Sequence, residues 1–195
     1  MADIMSKKDS IITLPNPRLR QKSQKISLIT PEVRQVITDM KAATLDWEAS
    51  RPHEVGVALA AIQINKPYRI IVIRENFENK EDKRFKVLIN PEISKLEGEI
   101  EEDFEGCLSI TDVYGKVQRN TKVRVRAVNE QGQQIRLKAE GFLARVLQHE
   151  IDHLNGMVFV DHIESNKEAF YQIKPDGKLE PLDYEQVKRS HIFAE

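Results

Sequence analysis

His149, Glu150, Ile151, Asp152 and His153 stand in a row, and their types and spacing could hold a metal ion. On a helix, residues four apart share a face, so both imidazoles can reach one cation. Glu150, beside the first histidine, is placed to reach a water on that cation without having to bind it. Two histidines leave a catalytic site one protein ligand short, and three places could supply the third. A further histidine six residues on is missing, because Phe159 stands there. Downstream acids exist as Glu164 and Glu168, but neither falls in a helical pattern. The lone cysteine, Cys107, lies in Glu105-Gly106-Cys107-Leu108-Ser109. A single cysteine cannot form an internal disulfide, so it is either a small buried apolar residue or a working thiol. As a thiolate it completes a Cys-His-His set with a fourth position open to water, and Gly106 lets backbone come close.

These residues need elements to position them. Thr30-Pro31-Glu32 has the signature of a helix start: a hydroxyl cap, proline in the first turn and an acid at the positive end. Val33, Val36, Ile37, Met40, Ala43 and Trp47 come next at helical spacing, a stripe expected to face the core. After the apolar run VGVALAAIQI, YRIIVIR (residues 68–74) reads as a buried strand. The charged ENFENKEDKR is expected to be a solvated hairpin or loop. KVLINPEI, KVRVRAV and QIRLKAE give further strands, the last two joined through NEQGQ as a hairpin. A second helix is predicted from about Gly141 to Leu154, carrying both histidines, with Asn155-Gly156 as a left-handed stop. From Glu164 onward the tail shows a KPDGK turn and a short final helix. The order predicts an α+β fold, mostly antiparallel sheets packed around the central histidine-bearing helix.

At 195 residues the chain suits one domain, 1–195, with a core at about 11–165 and an extension over 166–195. Hydrophobic residues at 40% and charged residues at 31% exclude a disordered chain. The net charge of -1 gives no general pull toward nucleic acid, so no direct DNA contact is expected. No apolar run approaches the roughly 20 residues that span a bilayer. The N-terminal MADIMSKKDS lacks the patterns of secretory and transit peptides, which predicts a cytoplasmic protein.

Three segments in order resemble the motifs of the peptide deformylase family: Gly56-Val57-Ala58-Leu59-Ala60-Ala61-Ile62-Gln63, Glu105 to Ser109, and Gln148 to Leu154. The similarity runs between them through YRIIVI and VLINPEI. It implies that Cys107, His149 and His153 bind one divalent metal ion, Fe(II) by nature, with nickel, cobalt or zinc as substitutes. By the same resemblance Gln63 and the backbone N–H of Leu108 hold the developing oxyanion, while Val57, Ala58 and Gly106 meet the substrate peptide. The implied reaction removes the formyl group from N-formylmethionyl ends of nascent, ribosome-associated polypeptides. Glu150 then moves the proton between water and departing amine.

The chain departs from the family at Ala58, where a second glycine is usual and an added methyl would crowd the peptide or shift the strand. Thr111 replaces a common proline. The final PLDYEQVKRSHIFAE mixes acids and bases and shows no basic ribosome-binding pattern. Leu59 to Ala61 read as close-packed strand, Gln148 as support for the metal ligands, Glu105 as an anchor of the cysteine loop, and Asp152 as the partner of Arg119 or Arg145. A related metallo-amidase or peptidase, and a silent peptide-binding relative, are the alternative readings.

Overall fold

The computed structural model describes residues 7–51 and 53–193. Helix α1 spans Pro31–Ala49, and the Thr30 hydroxyl accepts a hydrogen bond from the Val33 N–H at 3.3 Å, which satisfies one of the open N–H groups of the first turn. Three residues of strand β1 (Ala58–Ala60) lead through a 3₁₀ turn at Ala61–Ile64 to β2 (Ile70–Arg74). Two long strands come next, β3 (Phe85–Cys107) and β4 (Ile110–Val128), then β5 (Gln134–Glu140) and helix α2 (Gly141–Leu154). The tail adds β6 (Phe170–Ile173), β7 (Leu179–Pro181) and helix α3 (Tyr184–Arg189).

All the strand pairs are antiparallel. The sheet order is β1-β2-β3-β4-β6-β7, with β5 also on β4. Alternation of side chains sets two faces. Ala58, Ala60, Ile71, Ile73 and Leu88 pack on α2, whereas Leu59, Ile70, Val72, Val87 and Ile89 pack on α1. The predicted α+β architecture is therefore present, with α2 inside it: ten of its residues are buried. A third core cluster joins Cys107, Ile110 and Phe159 to Phe170 and Val187 of the tail.

Several expectations change in detail. The strand expected over KVLINPEI continues to Cys107, because its charged middle pairs across to β4 and does not loop out. Glu97, opposite Lys122, accepts from Arg124 at 2.6 Å. Register shifts along β3 and β4 mark bulges that bend the pair, so one half of β4 lies beside β5 and the other beside β6. The charged loop before β3 does more than face solvent. Its Asp82 and Lys80 carbonyls accept from the fully buried Arg74, at 3.0 and 3.3 Å. At the end of α2, Gly156 alone takes the left-handed conformation (φ 80°), while Asn155 stays at φ -99°. A side chain at Gly156 would also meet the Arg20 carbonyl at 2.3 Å, so two demands fix glycine there.

Candidate active site

Helix α2 carries His149 and His153 one turn apart, on a face turned toward the end of β3. There the tight β3–β4 turn presents Cys107, with Cys107 paired to Ile110. The Cys107 Sγ lies 3.2 Å from His153 Nε2, and the ligand atoms of Cys107, His149 and His153 all fall within 4.8 Å of one another. All three residues are buried. One sulfur and two imidazole nitrogens at this separation suit a divalent transition-metal ion, not magnesium or calcium, which prefer oxygen.

The second ring nitrogen of His149 is held from behind. Its Nδ1 lies 2.9 Å from Glu105 Oε2, which leaves Nε2 for the cluster. Glu105 is gripped in turn by Arg119 (Nε to Oε1, 2.9 Å) and Arg145 (Nη1 to Oε1, 3.0 Å). Burial alone would raise the Glu105 pKa, but hydrogen bonds and charge from His149 and Arg119 outweigh it and hold the carboxyl far below the usual range. The same balance raises His149: burial opposes its charge, and Cys107 and Glu105 more than offset this. His153 is lowered, by burial first and by repulsion from His149 second, which favours the neutral ring a metal requires.

Glu150 is buried beside the cluster, and its Oε2 has no hydrogen-bond partner. Loss of hydration raises its pKa to about 7, the range in which a carboxyl both takes up and returns a proton. Gln63 is oriented without ambiguity. Its Oε1 accepts from the Ala60 N–H at 2.8 Å, so its Nε2 points at Ser109 Oγ (3.1 Å) and Cys107 Sγ (3.5 Å). A cavity of about 290 Å³ opens beside these groups, with Val57, Ala58, Gln63, Gly106, Leu108 and Glu150 in its wall. Cys107, His149 and His153 thus meet, with Glu150 and Gln63 beside them.

Asp152 pairs with Arg119, one of its two expected cations, at 2.6 Å and also with His162 at 2.8 Å, while Arg145 goes to Glu105. Other supporting residues differ from expectation. Gln148 does not touch the cluster; it clamps α2 to β4 through both backbone groups of Asn120. Gly106 is needed because the Tyr114 ring lies on it, 2.6 Å from where a Cβ would sit. Trp47, assigned to the core stripe, is half-buried and lines the cavity. Sequence reasoning missed Arg119 as the holder of Glu105. The signal was there: Val117, Arg119, Val123, Val125 and Ala127 share the inward register of β4, and a cation in that row needs a buried acid.

The sequence profile of the polypeptide deformylase family matches residues 8–169. The chain belongs to that family. It is 44% identical over 157 residues to a peptide deformylase of Agrobacterium fabrum, covering 80% of this chain and 88% of that one. It is 43% identical over 165 residues to one of Thermomicrobium roseum, with 83% and 89% covered. Among solved structures, the peptide deformylase of Synechococcus elongatus in complex with actinonin superposes with a TM-score of 0.72 at 39% identity, covering 80% of each chain. That of Legionella pneumophila gives 0.71 at 32%, covering 93% and 91%. Peptide deformylases are metal-dependent hydrolases that remove the N-formyl group from nascent polypeptides, and this chain is an enzyme of that kind. Its substrates are formylated peptides. Among the described residues, no helix is long and apolar enough to cross a membrane.

Proposed function

We propose that Cys107, His149 and His153 hold one Fe(II) ion, and that Glu150 and Gln63 work on an N-formylmethionyl end laid along Val57, Ala58 and Gly106. The observation that carries this is the meeting of three ligand atoms within 4.8 Å with the unpartnered Glu150 carboxylate oxygen. Iron is the ion that the family resemblance implies; nickel, cobalt and zinc suit the same donors. When bound, a divalent ion supplies a Lewis acid that acidifies water and polarises a carbonyl.

Glu150 takes a proton from the attacking water and hands it to the amine that leaves when the formyl C–N bond breaks. Its carboxyl is suited to both transfers because burial has already brought its pKa to about 7. As negative charge grows on the formyl oxygen, the Gln63 Nε2 and the Leu108 N–H donate to it; losing one such donor costs about 10²–10³ in rate. A formyl carbon carries only hydrogen, so a buried site admits it where a larger acyl group would clash. Since the substrate is a nascent chain, the protein acts in the cytoplasm beside the ribosome, on peptide and not on DNA or membrane. The chain works as one domain, 1–195, with 166–195 as an extension; the third core cluster, shared between tail and body, supports this.

Release of formate from formyl-Met-Ala-Ser, with metal measured on the same sample, tests the reading. Cleavage of unformylated peptides with the formyl peptide left intact would replace it with a related amidase. Glu150→Gln should keep the metal and lose about 10²–10⁴ in kcat; normal turnover would remove Glu150 from its role. An iron site with a thiolate ligand should lose activity on exposure to peroxide.

A further inference from the structure

The two histidines of the cluster are held in different ways. The His149 ring has Glu105 behind it, at 2.9 Å. The His153 ring is fully buried, yet its Nδ1 has no hydrogen-bond partner among the described residues. No hydrogen bond steers that ring from behind, so the place of its Nε2 is set by packing and by the backbone of the last turn of α2. That turn ends at Leu154, whose carbonyl is one of the four that a helix leaves open at its C-terminus. The Gly156 N–H satisfies the neighbouring His153 carbonyl at 3.1 Å. Two donors from elsewhere in the chain close on Leu154: the Ser23 N–H at 2.9 Å and Arg69 Nη1 at 3.2 Å. Arg69 Nη1 also donates to Asn155 Oδ1 at 2.9 Å, and Nη2 to the Pro91 carbonyl of β3 at 3.2 Å. One guanidinium thus spans helix and sheet.

Arg69 stands immediately before β2, and its own backbone is fixed on both sides. Its N–H donates to the Gln24 carbonyl at 2.9 Å, and its carbonyl accepts from the Asn90 N–H at 2.7 Å. Burial lowers its pKa and Glu92 opposes this, but a guanidinium keeps its charge throughout the working range. That charge faces the negative end of α2.

We propose that Arg69 is a positioning residue for the metal centre, whose guanidinium fork fixes the last turn of α2 against β3 and so sets the place of His153. The proposal rests on the reading of Cys107, His149 and His153 as metal ligands. Arg69 is absent from the wall of the catalytic cavity, so it acts through His153 and not on the substrate. Lysine would keep the positive charge, but a single ammonium on a flexible stem does not reproduce a planar fork shared between two elements.

Cobalt(II)-loaded enzyme provides the test, because its thiolate charge-transfer and ligand-field bands report the placing of the donor atoms without turnover. In Arg69→Ala the bands should shift, and Co(II) affinity by competition titration should fall about tenfold. With formyl-Met-Ala-Ser, kcat should fall while KM stays within about twofold, since the substrate contacts are unmoved. Arg69→Lys should show the same band shift. Asn155→Ala removes one of the three bonds of the fork and should give a smaller shift in the same direction. Met40→Ala, in the cluster under α1, should lower the unfolding midpoint and leave the bands of the parent. Parent bands in Arg69→Lys overturn the proposal, and so does an equal band shift in Met40→Ala. Should Arg69→Ala fail to fold, Arg69→Lys and Asn155→Ala decide by the same bands. A parent enzyme that binds no Co(II), or binds it without a thiolate band, overturns the metal reading itself, and the role of Arg69 with it.

Discussion

The floor and the rim of the cleft are tied by ion pairs and hydrogen bonds of similar length, but at different depths. On the floor, Glu105, Arg119 and Arg145 have side chains 3%, 6% and 8% exposed, and both arginines hold the Glu105 carboxylate that in turn holds His149. On the rim, Arg51 and Asp112 are 27% and 45% exposed, and Glu54 joins them to Tyr114. Water screens the rim and compensates any group that loses its partner; the floor has far less access to it. The floor groups are thus mutually dependent, and His149, proposed above as a metal ligand, is held by that dependence. The rim groups are separable, which fits a surface that a substrate must displace and pass.

Glu105→Ala should therefore give the largest effect. It leaves two buried guanidinium groups facing one another without their acid, and should cost about 3–5 kcal/mol in denaturant unfolding. It also frees the His149 ring, so metal affinity measured by titration should fall by about 10–100-fold. A loss under about 1 kcal/mol would place the floor in the same class as the rim and break the contrast.

Acid and alkali should separate the two regions next. The folded-state pKa values of Glu105 and Asp152 are depressed: burial opposes this, but His149 and Arg119 in one case, and His162 and Arg119 in the other, prevail. A depressed carboxyl contributes stability above its ordinary pKa and loses it as pH falls through that value toward the folded one. The floor should weaken below about pH 4. Tyr114 runs the other way: burial first, then the hydrogen bond to Glu54, raises its pKa. A raised tyrosine stabilises fully below its ordinary pKa, and that share is lost as pH rises past about 10. Unfolding midpoints measured from pH 3 to 11 in the parent and in Tyr114→Phe should run parallel below about pH 10, and the gap between them should close above it. A gap that changes on the acid side would mean that floor and rim are coupled.

The legibility of the sequence divides along a related line. Strand β5 was legible to the residue and helix α2 in outline, because apolar periodicity and glycine punctuation are local signals. The meeting of Cys107, His149 and His153 was legible because metal chemistry restricts residue type. The middle of β3 was not: Lys95 to Asp103 has no apolar alternation, and only its pairing with β4 makes it a strand. The tail strands were hidden for the same reason, since β6 exists by pairing with Val113 to Gly115. The Arg119–Glu105–His149 chain joins residues 14 and 44 positions apart, a separation no local pattern carries.

Tyr114→Phe gives the smallest expected effect and tests whether depth, and not bond number, separates the regions. The substitution keeps the ring that lies against Gly106 and removes only the hydroxyl that donates to Glu54. Glu54 retains Arg51 as a partner and is near enough to solvent to recruit water in place of the lost donor. The cost should be about 1 kcal/mol or less by thermal unfolding. Tyr114→Ala removes the ring as well and should cost about 3 kcal/mol or more, because it leaves a cavity against Gly106 and loosens the turn that presents Cys107. If the phenylalanine variant lost as much as the alanine one, the Glu54 hydrogen bond would be part of the buried framework, and the rim would be no more separable than the floor.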